Sequence, residues 1–208
     1  MKKVLLLSGV VALFAACSSP SASTEAGDAQ EVAAATTESE SFNVNVEEST
    51  VNWKGSKITG DSHSGTINLT AGSFSTADGA ITAANFELDM TSLASLDGMD
   101  EETTGKLLGH LGSPDFFDAA THPTASFAVS TATADSLTGN LTIKGISKSI
   151  TVPYSVEMTG TGAAATSSFS IDRAQWDVRF GSSSFFDDLK DKAINDAVEF
   201  TVSLVAIK

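Results

Sequence analysis

The sequence predicts an all-β protein, one antiparallel sheet that closes as a barrel or folds as a sandwich, with two short helices. Three observations carry this. Apolar residues recur at every second position in run after run, the breaks between runs are short and contain glycine, and only two stretches place apolar residues at helical spacing. Many strands at short spacing joined by turns form a meander rather than a parallel sheet.

The chain opens on addressing information. Lys2 and Lys3 precede a short apolar stretch from Val4 to Ala16, and the small residues Ala15 and Ala16 lead directly to Cys17. This is the layout of a secretory signal over residues 1–16, too short in its apolar part to span a bilayer as a mature helix. A cysteine directly after Ala-Ala resembles a bacterial lipobox, whose thiol receives a diacylglyceryl group (the palmitate type of anchor). By resemblance to bacterial lipoproteins generally, Ser18 after it suits sorting to the outer membrane, facing the periplasm. Residues 17–40 are then a lipidated cysteine and a flexible tether, because Ser18 to Glu40 holds almost no large apolar residue and cannot offset its ordering entropy.

The folded domain is expected over residues 41–208. Phe42, Val44 and Val46 begin the alternation. Val51 and Trp53 follow, then Ile67 and Leu69, then Phe86, Leu88 and Met90. Later come Phe127 and Val129, Leu141 and Ile143, the run Ile150 to Met158, and Val198 to Ala206. Pro153 inside one run marks an edge or a bulge. Asp78-Gly79, Thr138-Gly139, Lys144-Gly145 and Thr159-Gly160 supply the breaks. Helices are predicted over Glu101–Phe117, from Leu107, Leu108 and Leu111, and over Phe185–Ile194, from Phe185, Leu189 and Ala193, with Asp188 and Lys192 able to pair.

Composition excludes several functions. Removal of Lys2 and Lys3 takes the basic count from 12 to 10 against 26 acidic residues, and the net charge from −14 to −16. Such a surface repels nucleic acid and anionic head groups. Cys17 is the only cysteine, so the domain has no disulfide and no thiolate cluster. His63, His110 and His122 form no close-spaced pair, which argues against a metal site. Gly160 to Ala165 looks like a dinucleotide fingerprint but is followed by strand residues rather than a helix. No catalytic motif is present, so neither enzyme chemistry nor a cofactor is expected. Phe116-Phe117 and Phe185-Phe186 stand beside the two predicted helices as core residues or as cover for a cavity mouth.

Several stretches together resemble the YceI-like family of polyisoprenoid- or lipid-binding proteins. They are Ser49 to Gly55 with Lys57 and His63 to Thr66; Gly109 to Asp118 with His122-Pro123-Thr124 and Phe127; Leu137 to Gly145; and Ile171-Asp172-Arg173 with Gly181 to Asp187. The resemblance implies a lipocalin-like antiparallel β-barrel of about eight strands that takes a long apolar lipid, an isoprenoid or a quinone. The runner-up is an envelope stress or interaction protein with a filled barrel. For a hollow barrel the dry faces supply Trp53, Phe86, Leu88, Phe127, Leu141, Ile143, Phe169 and Trp176 as lining. If the ligand has an anionic head, Lys57, His63, Arg173 and Arg179 are the cations to meet it.

Overall fold

A computed structural model describes residues 23–35 and 39–208. Cys17, the signal segment 1–16 and tether residues 18–22 and 36–38 lie outside them. The strands are β1 (Gly27–Asp28), β2 (Glu40–Val44), β3 (Thr50–Lys57), β4 (Ser62–Ala77), β5 (Ala80–Ser95), β6 (Thr124–Ala132), β7 (Ser136–Ile143), β8 (Ile146–Pro153), β9 (Ser155–Met158), β10 (Gly162–Asp172) and β11 (Ile194–Ile207). All the ladders between them are antiparallel.

Ten of the eleven strands make eight staves. β2 and β3 each pair with both β4 and β11, so they share one slot, broken at Asn45–Ser49. β8 pairs with β7 and β9 pairs with β10, so they too are one stave, which changes partner at Tyr154. β1 lies outside the barrel count. Pro153 sits where the stave leaves β7, a place that suits a residue with no N–H to give a ladder. Its carbonyl accepts from Ser167 Oγ at 2.6 Å, which ties the two sides of the joint together.

The connections after β3, β5, β7 and β10 lie at one end of the barrel, the mouth; those after β4, β6 and β9 lie at the other, the floor. Near the floor the Phe42 and Phe74 rings stack at 5.4 Å. Near the mouth, no ladder among the described residues joins β8 to β10, and the wall has a wedge-shaped seam there.

Residues expected in a free tether occupy that seam. Thr24 bridges Ile171 of β10 and its N–H donates to Ser170 O, while Gly27 and Asp28 pair with Ser149 and Lys148 of β8. The chain then crosses the outer wall. Gln30 N–H donates to Asn140 Oδ1, Asn140 Nδ2 donates back to Gln30 O, and Ala33 N–H donates to Val129 O, at the bulge between Val129 and Thr131. The tether expectation is therefore corrected for residues 24–33. Backbone groups of an incomplete wall bind the strap, so no apolar residue is required in it.

The first helix holds and is shorter than predicted. α1 spans Glu101–Gly112, with Asp100 capping through Thr103 N–H and Ser113 ending it. The second does not form. Asp188 and Lys190 have φ of 58° and 48°, left-handed values that interrupt a right-handed helix, and only a single 3-10 turn survives at Lys190–Lys192. Another 3-10 turn, Arg173–Trp176, follows β10.

Candidate functional site

Inward-facing side chains leave two adjoining apolar chambers. The lower is about 130 Å³, walled by Val51, Leu69, Phe86, Leu88, Phe127, Leu141, Ile143, Phe169 and Leu204, among others. The upper is about 310 Å³ and lies under the mouth, between Trp53, Leu93, Leu107, Leu111, Phe116 and Val198. Ile67, Phe117 and Phe200 belong to the walls of both. The upper chamber alone reaches the low end of the range for small-molecule sites, roughly 300–1,000 Å³.

Two glycines let large rings lie flat along the wall. A Cβ on Gly65 would sit 1.8 Å from Ala94 O and 2.6 Å from the Trp53 ring. One on Gly139 would sit 2.7 Å from the Phe127 ring. Register explains the pairing: Trp53 is opposite Gly65, and Phe127 lies beside Leu141, two residues from Gly139. Trp53 Nε1 donates to Thr66 O at 3.3 Å, so the indole's polar atom is satisfied at the wall.

The mouth is capped by α1 and the segments around it. His110, in the last turn of α1, meets Phe180 edge-on at 4.3 Å and Phe116 at 5.4 Å, and Phe116 meets Phe117 at 5.5 Å. Arg173 lies over the Phe116 ring at 5.3 Å. Its guanidinium is almost wholly buried: Nη1 donates to Val178 O at 2.7 Å, Nη2 to Ile194 O and Nε to Asn195 O, both at 3.3 Å. Asp196 Oδ1 is 3.2 Å from Nη2 but is not aligned for a hydrogen bond. Burial lowers the Arg173 pKa from its ordinary value, and the charges of Asp196 and Asp172 act against that. Arg173 is thus a clip that gathers the mouth segments.

On the opposite rim, His63 Nδ1 lies 2.7 Å from Asp97 Oδ2, while Ser64 N–H and Oγ donate to Asp97 Oδ1. Burial works against the Asp97 charge, yet hydrogen bonds from His63, Ser64 and Ser95 outweigh it and hold the carboxyl below its usual pKa. A base and its orienting carboxylate are present here, as in half of a catalytic triad. The neighbouring serine bonds to Asp97, and among the described residues no serine hydroxyl bonds to His63. Nor do three metal-ligating side chains converge among the described residues.

The predicted site residues divide as follows. Phe86, Leu88, Phe127, Leu141, Ile143 and Phe169 line the lower chamber and Trp53 the upper. Trp176 lines neither. The 3-10 turn takes it off the strand pattern, its ring is fully buried, and its Nε1 donates to Leu141 O at 3.0 Å. Lys57, His63 and Arg173 border the upper chamber. Arg173 is already committed to three carbonyls, so it is not free for a head group. Arg179 is outside, paired with Asp177 and stacked over Phe185 at 4.8 Å. Sequence reasoning missed Leu107, Leu111 and Phe180; Phe116-Phe117, flagged as a pair, do cover the cavity, while Phe185-Phe186 do not line it.

A model of the YceI-like domain matches residues 42–206. The chain belongs to the YceI-like family. Solved structures share the YceI-like barrel. BcnA of Burkholderia cenocepacia has 22% identity and a TM-score of 0.58, over 79% of this chain and 99% of that one. A polyisoprenoid binding domain from Saccharophagus degradans, implicated in plant cell wall breakdown, has 18% identity and a TM-score of 0.61, over 80% and 97%. The YceI protein of Campylobacter jejuni has 15% identity and a TM-score of 0.50, over 97% and 99%. At these identities the likeness concerns the fold. No curated protein matches the chain. The strap residues 24–33 precede the YceI-like match.

Proposed function

We propose that this YceI-like domain binds a long apolar lipid, of isoprenoid or quinone type, without transforming it, and carries or stores it at the bacterial cell envelope. The observation that carries the reading is the pair of adjoining chambers, whose lower one offers Ser167 as its single polar side chain. Each buried CH₂ contributes roughly 0.8 kcal/mol, so a chain filling both gains affinity from length rather than from polar contacts. The polyisoprenoid-binding name of the Saccharophagus degradans domain supports the same class of ligand. Open chambers weigh against a filled barrel acting only as an interaction protein.

Residues 1–16 export the chain, and the lipid on Cys17 holds it at the outer membrane, facing the periplasm. Lys57 and His63 are the rim groups that meet an anionic head. Titration of a polyprenyl alcohol or a quinone against the fluorescence of Trp53, which borders the upper chamber, gives a saturable change. Leu141→Trp fills the lower chamber and weakens that binding while the fold survives. Absence of saturation with every long-chain lipid sinks the reading. Cys17→Ser releases the protein from membranes; a variant that still pellets after a high-salt wash rules out the anchor.

A further inference from the structure

The described residues include eight large hydrophobic side chains that are well exposed, and five of them are at the mouth. Ile58 follows β3, Leu96 follows β5, and Phe180, Phe185 and Phe186 lie between β10 and β11. Phe180 borders the opening of the upper chamber, Ile58 follows its rim residue Lys57, and Leu96 bonds to Ser64 beside its rim residue His63, while Phe185 and Phe186 lie at the same end of the barrel. An apolar rim around an apolar opening is the feature of a surface that meets another phase. Charges on that rim are of both signs with an acidic surplus, Lys57, Lys190 and Lys192 against Asp61, Asp187, Asp188 and Asp191, so it does not seek an anionic surface.

The strap limits how the barrel can stand. Ser23 Oγ is 3.4 Å from Ser170 Oγ, and Thr24 is bridged to Ile171. Ser170 is two residues from the mouth end of β10, about 7 Å, and eight from its floor end, about 26 Å at 3.3 Å per residue. Cys17 is six residues before Ser23, a span of at most about 22 Å when fully extended. Barrel strands tilt about 35–45° from the axis, so the two distances along β10 are about 5 Å and 20 Å of height; the mouth lies well within the leash and the floor only at its near-full extension.

We infer that the mouth faces the bilayer holding the Cys17 lipid and inserts its apolar rim among the lipids, so that the chamber opens directly onto membrane. The inference rests on the lipid-anchored reading proposed above. Its occupant is a zwitterionic lipid surface. The rim need not bind strongly by itself, because a short leash keeps it at roughly millimolar effective concentration.

Chemical coupling separates this claim from the reading beneath it. Cys17 is the only cysteine, so the mature chain can be joined to a maleimide lipid in phosphatidylcholine vesicles with brominated acyl chains, whether or not the cell lipidates it. Phe186→Trp and Leu96→Trp report on the mouth, and Met158→Trp, near the β9–β10 turn, reports on the floor; the parent protein supplies the background of Trp53 and Trp176. Mouth reporters should lose about twofold in emission, as residues buried to interfacial depth do, while the floor reporter is unaffected. Quenching at Met158→Trp equal to or greater than that at the mouth overturns the inference. So does no quenching at any reporter, which would leave the rim for a protein partner. Natural lipidation is judged by fractionation and ligand binding by titration in solution, so their failure is not confused with this one.

Discussion

Arg173→Met tests whether the mouth is built around a buried cation. The substitution keeps an unbranched apolar stem and removes the guanidinium, whose carbon lies over the Phe116 ring. Three carbonyls, on Val178, Ile194 and Asn195, lose their donor, and Asp196 loses the positive charge beside it. Breaking a buried ion pair from one side costs about 3–5 kcal/mol. The Asp196 side chain is 20% exposed and also accepts from Ser182 and Ser184, so the cost should fall near the lower figure. For a domain of this size each kcal/mol lowers Tm by about 2–4 °C. Urea unfolding followed by emission of the buried Trp176 measures the loss. Adding Asp196→Asn to Arg173→Met removes the stranded charge and should recover part of it, because the asparagine oxygen can still accept from the two serines. A loss below about 1 kcal/mol, the scale of one net hydrogen bond, would refute the clip. Lipid affinity reduced at unchanged stability would instead restore Arg173 as a head-group contact.

Gly65→Ala should destabilise the domain and shift Trp53 emission, because the new Cβ meets Ala94 O and the indole ring; a wild-type urea midpoint would count against the seat described for that ring. Asn140→Ala removes both hydrogen bonds to Gln30 and should lower stability by about 1–3 kcal/mol, with faster proteolysis within residues 24–33; an unchanged cleavage rate would show that the strap is held elsewhere. Asp89, Asp97 and Asp100 all have folded pKa values below the ordinary one, Asp89 and Asp100 through hydrogen bonds from Thr91 and Thr103. Their stabilisation is therefore complete above the usual carboxylate pKa and is lost as pH falls through and below it. A midpoint that rises on acidification in that range would contradict the assignment.

The barrel wall was legible because period-two alternation is a local signal, and residues from Trp53 to Phe169 point inward as their spacing predicts. The leucines of α1 announced the first helix in the same local way. Trp176 was misplaced because the turn at Arg173 breaks the period that Phe169 and Ile171 set. Asp188 and Lys190 take left-handed conformations, which aspartate tolerates but lysine does not advertise. Cavity-lining residues on the cap, such as Leu107 and Phe180, belong to no periodic run, and only tertiary packing brings them together. The strap escaped notice for a different reason. Its bonds join Gln30 to Asn140 across 110 residues and use mainly backbone atoms, which leave no mark on side-chain pattern.

The seam has a consequence for any shortened form of the protein. A chain starting at residue 42, where the family match begins, keeps all eight staves yet lacks the segment that lies between β8 and β10. Ser149 and Lys148 on one side and Ser170 and Ile171 on the other would then present unpaired backbone groups along two facing edges. Such edges recruit strands from whatever is near, including other copies of the same chain. Trimming the molecule to its family boundaries would thus remove a built-in guard against strand pairing and turn the barrel's side wall into a template for strand exchange.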